Sequence, residues 1–134
     1  MVLVPNPGYP VFEAGPFLND AKIAYYELDK TNHYAPALDK IPEELAKKAK
    51  MMVVSYPLNP TCTCIEKADY EKIIAFAKKY NIAIIHDNAY SEIEYDGRTG
   101  FSFLSVPGAK EVGIEFNSLS KTYNLTGIRI SFAL

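Results

Sequence analysis

The sequence predicts an α/β fold, a mainly parallel sheet with flanking helices, built as one domain over residues 1–134. Two observations lead there. Apolar runs of strand length, at residues 51–56 (MMVVSY), 82–85 (IAII) and 112–116 (VGIEF), suit strands buried on both faces. A segment with helical periodicity separates the first two runs, as a parallel crossover requires.

Each element can be justified in order. Residues 2–4 form a short apolar run stopped by Pro5-Asn6-Pro7-Gly8, a strand followed by a turn. Residues 22–28 (KIAYYEL) are rich in aromatic and branched side chains and read as a second strand. Residues 42–50 have helical composition, with Glu43 and Glu44 early and lysines late, which matches the helix dipole. MMVVSY then ends at Pro57 as a buried strand. The clearest helix spans residues 66–80, where Ile73, Phe76, Ala77 and Tyr80 recur at three- and four-residue steps and Asn81 supplies a stop. IAII leads into His86-Asp87, and VGIEF into Asn117-Ser118. Residues 128–134 are apolar and strand-like. The first run begins mid-strand and the last has neither cap nor polar tail, so the sequence reads as the middle of a larger domain.

Bulk properties exclude several classes. With 49% hydrophobic and 22% charged residues the composition is that of an ordinary globular domain. A net charge of -2 offers no field for nucleic acid or an anionic membrane. No apolar run reaches the length of a membrane span, and the N-terminal residues lack a signal-peptide pattern, so the expected location is cytoplasmic. Cys62 and Cys64 sit too close in sequence to imply a disulfide framework. The two histidines, His33 and His86, show no metal-ligand spacing, so no metal is expected.

Ligands of open α/β sheets bind beyond the carboxyl ends of the strands. Polar and aromatic residues of this sequence gather at those positions. Tyr9 follows the first strand's turn, Asn59 follows MMVVSYP, Asp87 and Tyr90 follow IAII, and Ser118, Ser120 and Lys121 follow VGIEF. Each has a plainer reading: Tyr9 as core, Asn59 as an Asn-Pro turn, Asp87 as a strand-end cap, Lys121 and Arg129 as surface cations. An arginine flanked by Ile128 and Ile130 within an apolar strand nevertheless calls for an anionic partner.

Ser118-Leu119-Ser120-Lys121, followed by Gly127-Ile128-Arg129, resembles the cofactor-lysine signature of the class I/II (fold type I) aminotransferases, which use pyridoxal 5′-phosphate (PLP). Pro7-Gly8-Tyr9-Pro10, Asn59-Pro60-Thr61 and Asp87-Asn88-Ala89-Tyr90 match the same family in the same order. The resemblance covers nearly the whole chain and implies the middle of that family's large domain. It implies that Lys121 holds PLP as an internal aldimine and, once displaced by substrate, shuttles the proton. By the same resemblance Asp87 pairs with the pyridinium nitrogen, Asn59 and Tyr90 donate to the phenolic oxygen, and Tyr9 stacks on the ring. Ser118, Ser120 and Arg129 bind the phosphate.

The implied activity is amino-group transfer between an amino acid and a 2-oxo acid, in a homodimer. The sequence context is most like the aspartate and LL-diaminopimelate-type enzymes. PLP lyases of the same fold share these contacts and stay open as an alternative, as does a truncated fragment with little or no activity. Two positions depart from the family pattern. Cys62 stands where Asn-Pro-Thr is commonly followed by glycine, and Ser131 stands two residues after the phosphate arginine, again in place of glycine. The family's phosphate-cradling loop, partner-subunit tyrosine and substrate-carboxylate arginine have no counterpart in these residues, so the isolated chain is expected to transaminate poorly.

Overall fold

The computed structural model describes all 134 residues, Met1–Leu134. Strands β1 (Val2–Asn6), β2 (Ile23–Glu27), β3 (Met51–Ser55), β4 (Ala83–Asp87), β5 (Gly113–Ser118) and β6 (Ser131–Ala133) form one sheet, with spatial order β2-β1-β3-β4-β5-β6. Every neighbouring pair is parallel except β5–β6. The expected mainly parallel α/β sheet is therefore what the chain builds. After β1 the chain turns to one side for β2 and then to the other for β3, which makes the β1/β3 gap a topological switch point.

The helices are α1 (Val11–Leu18), α2 (Glu43–Lys48), α3 (Lys67–Tyr80) and α4 (Leu119–Thr122). Helix α3 starts at a capping box in which the Glu66 and Asp69 side chains each accept the other's backbone N–H. It stops at Asn81, whose φ of 55° is left-handed. Its buried face, Tyr70, Ile73, Ile74 and Ala77, packs on one side of the sheet with α2 and the turns around Phe103 and Ala109. That side holds a cluster of 21 buried residues. The other side holds only four, where Phe12 of α1 lies on Val2, Val4 and Val53, and Ile114 and Phe116 of β5 stay 36% and 40% exposed. The two faces are thus unequally covered.

Three sequence expectations are corrected. Helix α1 was not foreseen, because Gly15 and Pro16 lie inside it; it is held by Phe12 and by the Asn19 amide donating to the Gly15 carbonyl at 2.9 Å. The strand expected over residues 128–134 contracts to β6, preceded by a 3-10 turn at Thr126–Ile128. Arg129 consequently does not lie inside a strand: it sits between the two with a left-handed φ of 59°.

Candidate active site

Four strand-end segments meet over the C-terminal edge of the sheet. Asp87 is the last residue of β4 and Ser118 the last of β5, so strand register alone puts both side chains at this edge. Ser118 then caps α4, its Oγ accepting from the Ser120 N–H at 3.2 Å, and α4 carries Ser120 and Lys121. Antiparallel pairing returns β6 beside β5, with Leu119 N–H donating to the Ile130 carbonyl at 3.2 Å, and this brings Arg129 back.

The result is a cleft of about 250 Å³ lined by Tyr9, Asn59, Asp87, Tyr90, Ser118, Ser120, Lys121 and Arg129, together with Ser55, Ala89 and Thr126. Every candidate named from the sequence is present in one cavity. Ser55 and Thr126 were not foreseen. Ser55 merely closes an apolar strand and Thr126 lies in a turn, so neither gave a periodic signal; the strand-end address of Ser55 was the one available clue.

Within the cleft the chemistry is graded. The Asp87 carboxyl is pushed above the usual carboxylate range, chiefly by burial, which the Ala89 N–H (3.2 Å from Oδ1) and the nearby His86 only partly offset. It is a desolvated carboxyl with one backbone donor, a site that a cation would satisfy. Lys121 Nζ lies 5.6 Å from the centroid of the Tyr90 ring. The cleft is also lined by Ser118 and Ser120, by Thr126, whose hydroxyl donates to the Ser120 carbonyl at 3.3 Å, and by Arg129, whose Nη1 donates to the Thr126 carbonyl at 2.8 Å. Tyr9 is 48% exposed, with its ring held edge-on at 6.0 Å by Phe12. A carboxylate for a ring N–H, hydroxyl and guanidinium donors for a phosphate, and an amine on the same cleft form a donor set that fits PLP.

A larger cleft of about 530 Å³ adjoins through Asn59 and Tyr90 and includes Cys62, Cys64, Glu94 and Arg98. Its one cation is already paired, Arg98 lying 2.6 Å from Glu66 and 3.6 Å from Glu94. No three His, Cys, Asp or Glu side chains converge as a metal site, and no helix is long and apolar enough to cross a membrane.

The family model for aminotransferase class I and II matches residues 1–134. The chain belongs to that family. It is 45% identical over 134 residues to an LL-diaminopimelate aminotransferase of Syntrophobacter fumaroxidans, covering 100% of this chain and 34% of the relative. Against the LL-diaminopimelate aminotransferase of Moorella thermoacetica it is 47% identical over 131 residues, with 98% and 34% coverage. Among solved structures, substrate-bound BacF of Bacillus subtilis superposes with a TM-score of 0.96 at 44% identity, covering 99% of this chain and 34% of that one. A probable N-succinyldiaminopimelate aminotransferase of Thermus thermophilus gives 0.92 at 34% identity, covering 99% and 35%. The chain therefore spans about a third of the length of these relatives. With that family membership, the sheet is the fold type I arrangement of the large domain.

Proposed function

We propose that this cleft binds PLP and serves amino-group transfer between an amino acid and a 2-oxo acid, with Lys121 as the lysine that holds the cofactor. The observation that carries this reading is the single cavity shared by Asp87, Lys121, Ser118 and Arg129. PLP, when bound, supplies an aldehyde that condenses with amines and a ring that accepts electrons released at the substrate Cα.

The chain's own residues supply the rest. The Asp87 carboxylate receives the proton-bearing ring nitrogen and keeps it protonated, gaining the counter-charge that its burial otherwise denies it. Arg129, Ser118 and Ser120 grip the phosphate, Asn59 and Tyr90 donate to the phenolic oxygen, and Tyr9 covers the ring. Lys121 Nζ, as a free amine, would take the proton from the substrate Cα.

The names of the relatives favour an LL-diaminopimelate-type substrate, and the whole enzyme is proposed to act as a homodimer. Alone, this polypeptide is proposed to turn over slowly. It spans 34% of its relatives' length, and positioning of both reactants supplies much of catalysis. The test is to load the chain with PLP, follow the absorbance of the lysine-bound cofactor, reduce with borohydride and map the labelled peptide. The label is expected on Lys121, and a label on any other lysine overturns the assignment. Release of a β-substituent from the substrate, together with keto acid and ammonia and with no amino acceptor present, would instead favour a lyase.

A further inference from the structure

Directly beneath the cleft, on the thickly covered face of the sheet, lies a polar cluster that the cofactor contacts do not use. Glu115 of β5 is 1% exposed and His86 of β4 is fully buried. The two face each other in register across the β4–β5 ladder, and His86 Nδ1 lies 3.2 Å from Glu115 Oε2. The same oxygen accepts the Phe103 N–H at 2.7 Å, and Oε1 accepts the Asn117 side-chain amide at 3.0 Å. His86 Nε2 in turn meets the Tyr70 hydroxyl of α3 at 3.0 Å. An imidazole protonated on Nδ1 satisfies both contacts, donating to Glu115 and accepting from Tyr70.

A buried carboxylate is a costly choice for a position opposite His86 and against Phe103, where a leucine would pack without desolvation. What distinguishes its partners is their place in the chain. His86 immediately precedes Asp87, and Asn117 immediately precedes Ser118. One carboxylate thus ties together the residues before the pyridinium partner and before the phosphate ligand, one row before the β4–β5 ladder ends with Asp87 opposite Phe116.

We propose that Glu115 is a positioning residue: through His86 and Asn117 it braces the two strand ends that present Asp87 and Ser118 to the cofactor. Burial alone would raise the Glu115 carboxyl, but the hydrogen bonds from His86 and Asn117, with the Asn88 amide nearby, outweigh it and hold the group at about 2. It is therefore ionised, as a brace that accepts three N–H donors must be. The inference rests on the cofactor-site reading above for its consequence, and on the hydrogen bonds alone for the bracing.

The experiment separates the two. In the chain without cofactor, amide hydrogen exchange is followed at Ala89 and Ser120, whose N–H groups bond Asp87 Oδ1 and Ser118 Oγ. Glu115→Gln is expected to speed exchange at both by about tenfold, the worth of one hydrogen bond to a charged group, with Leu3 and Met52 in β1 and β3 unchanged. PLP affinity is then expected to fall by roughly tenfold, and to fall no further when Glu115→Gln is added to Asp87→Ala plus Ser118→Ala. A uniform rise in exchange across the sheet, or an undiminished affinity loss in that background, overturns the proposal and leaves Glu115 a plain core group. Should the wild-type chain bind no PLP, the cofactor reading fails while the exchange result still decides the bracing. If Glu115→Gln does not fold, Asn117→Ala carries the test, because that part-exposed side chain contributes only the Oε1 bond. Ser120 exchange should then rise and Ala89 exchange should not.

Discussion

Asp87 and Cys62 each show one residue held against its own preference. Burial raises the Asp87 carboxyl, so the ionised form is worse solvated in the folded chain than in the unfolded one. The sign follows: its ionisation destabilises the fold above the raised folded pKa, and the penalty fades as pH falls towards the ordinary carboxylate value. Asp87→Asn, near-isosteric and neutral, is therefore expected to leave the apo chain melting at the same temperature or higher at pH 7. It should weaken PLP binding by roughly 10–100-fold, the scale of one lost charge-assisted contact, as read by cofactor titration. Cys62 has a left-handed φ of 59°, the region that favours glycine, while its N–H closes a turn onto the Leu58 carbonyl at 2.7 Å. A Cβ in that region costs about 1–2 kcal/mol, partly returned by the greater freedom of unfolded glycine. Cys62→Gly should raise stability by about 0.5–1 kcal/mol in urea melts; an unchanged midpoint would mean that the thiol's packing compensates. At this scale the chemistry of the side chains singles out Lys121, Asp87 and Ser118 in the sequence, and the structure places all three on one cleft. It misplaced the backbone of Arg129, since isoleucines on both sides of a residue look the same whether the chain is extended or turning.

Elements were legible in proportion to the number of periodic residues that reported on them. Helix α3 has 14 residues and a four-residue buried stripe, and both of its ends were marked, by Glu66 and by Asn81. Helix α1 has eight residues, one buried side chain, and a proline and glycine inside, so propensity argued against it and only Phe12's contact with Val2, Val4 and Val53 decided it. The same contrast says what α3 depends on locally. Asp69 accepts from the Glu66 N–H at 3.3 Å and from Lys72 Nζ at 2.9 Å, closing one half of the capping box. Asp69→Ala should cost about 1 kcal/mol, measured by chemical denaturation, because a helix N-terminus then loses a side-chain acceptor. The Lys72 pair is exposed on the lysine side and adds little, so Lys72→Ala alone is expected to shift the midpoint by less than about 0.5 kcal/mol. Equal effects from the two substitutions would show that the ion pair, and not the cap, holds the first turn. The polar network of His86 and Glu115 lay outside any periodic signal. Each residue sits in an apolar strand where alternation would assign it simply to the buried side, and a sequence does not display the donors waiting there.

At the scale of the whole molecule, cofactor and fold are coupled, because the cleft exists only where separate segments converge. Tyr9 comes from the β1–α1 turn, Asn59 from beyond β3, Asp87 and Tyr90 from β4 and its loop, and Lys121 and Arg129 from the β5–β6 return. On the proposed reading, an unfolded chain retains the lysine amine but loses the phosphate grip and the Asp87 counter-charge, so PLP should bind the folded state far better. Mass action then sets the gain: free cofactor at a hundred times its dissociation constant stabilises the fold by about 2.7 kcal/mol. Unfolding entropy of roughly 2.1 cal/mol/K per residue over 134 residues converts this to a rise in Tm of about 10 °C. The rise should scale with the logarithm of PLP concentration. Inorganic phosphate, which can engage only Ser118, Ser120 and Arg129, should raise Tm by a smaller amount at any attainable concentration. Lys121→Ala should keep part of the PLP effect, because the ring and phosphate contacts survive, whereas Arg129→Ala combined with Asp87→Ala should abolish it. A shift of equal size for wild type and that double variant would place PLP on surface lysines, where a reactive aldehyde adds to any exposed amine without sensing the fold.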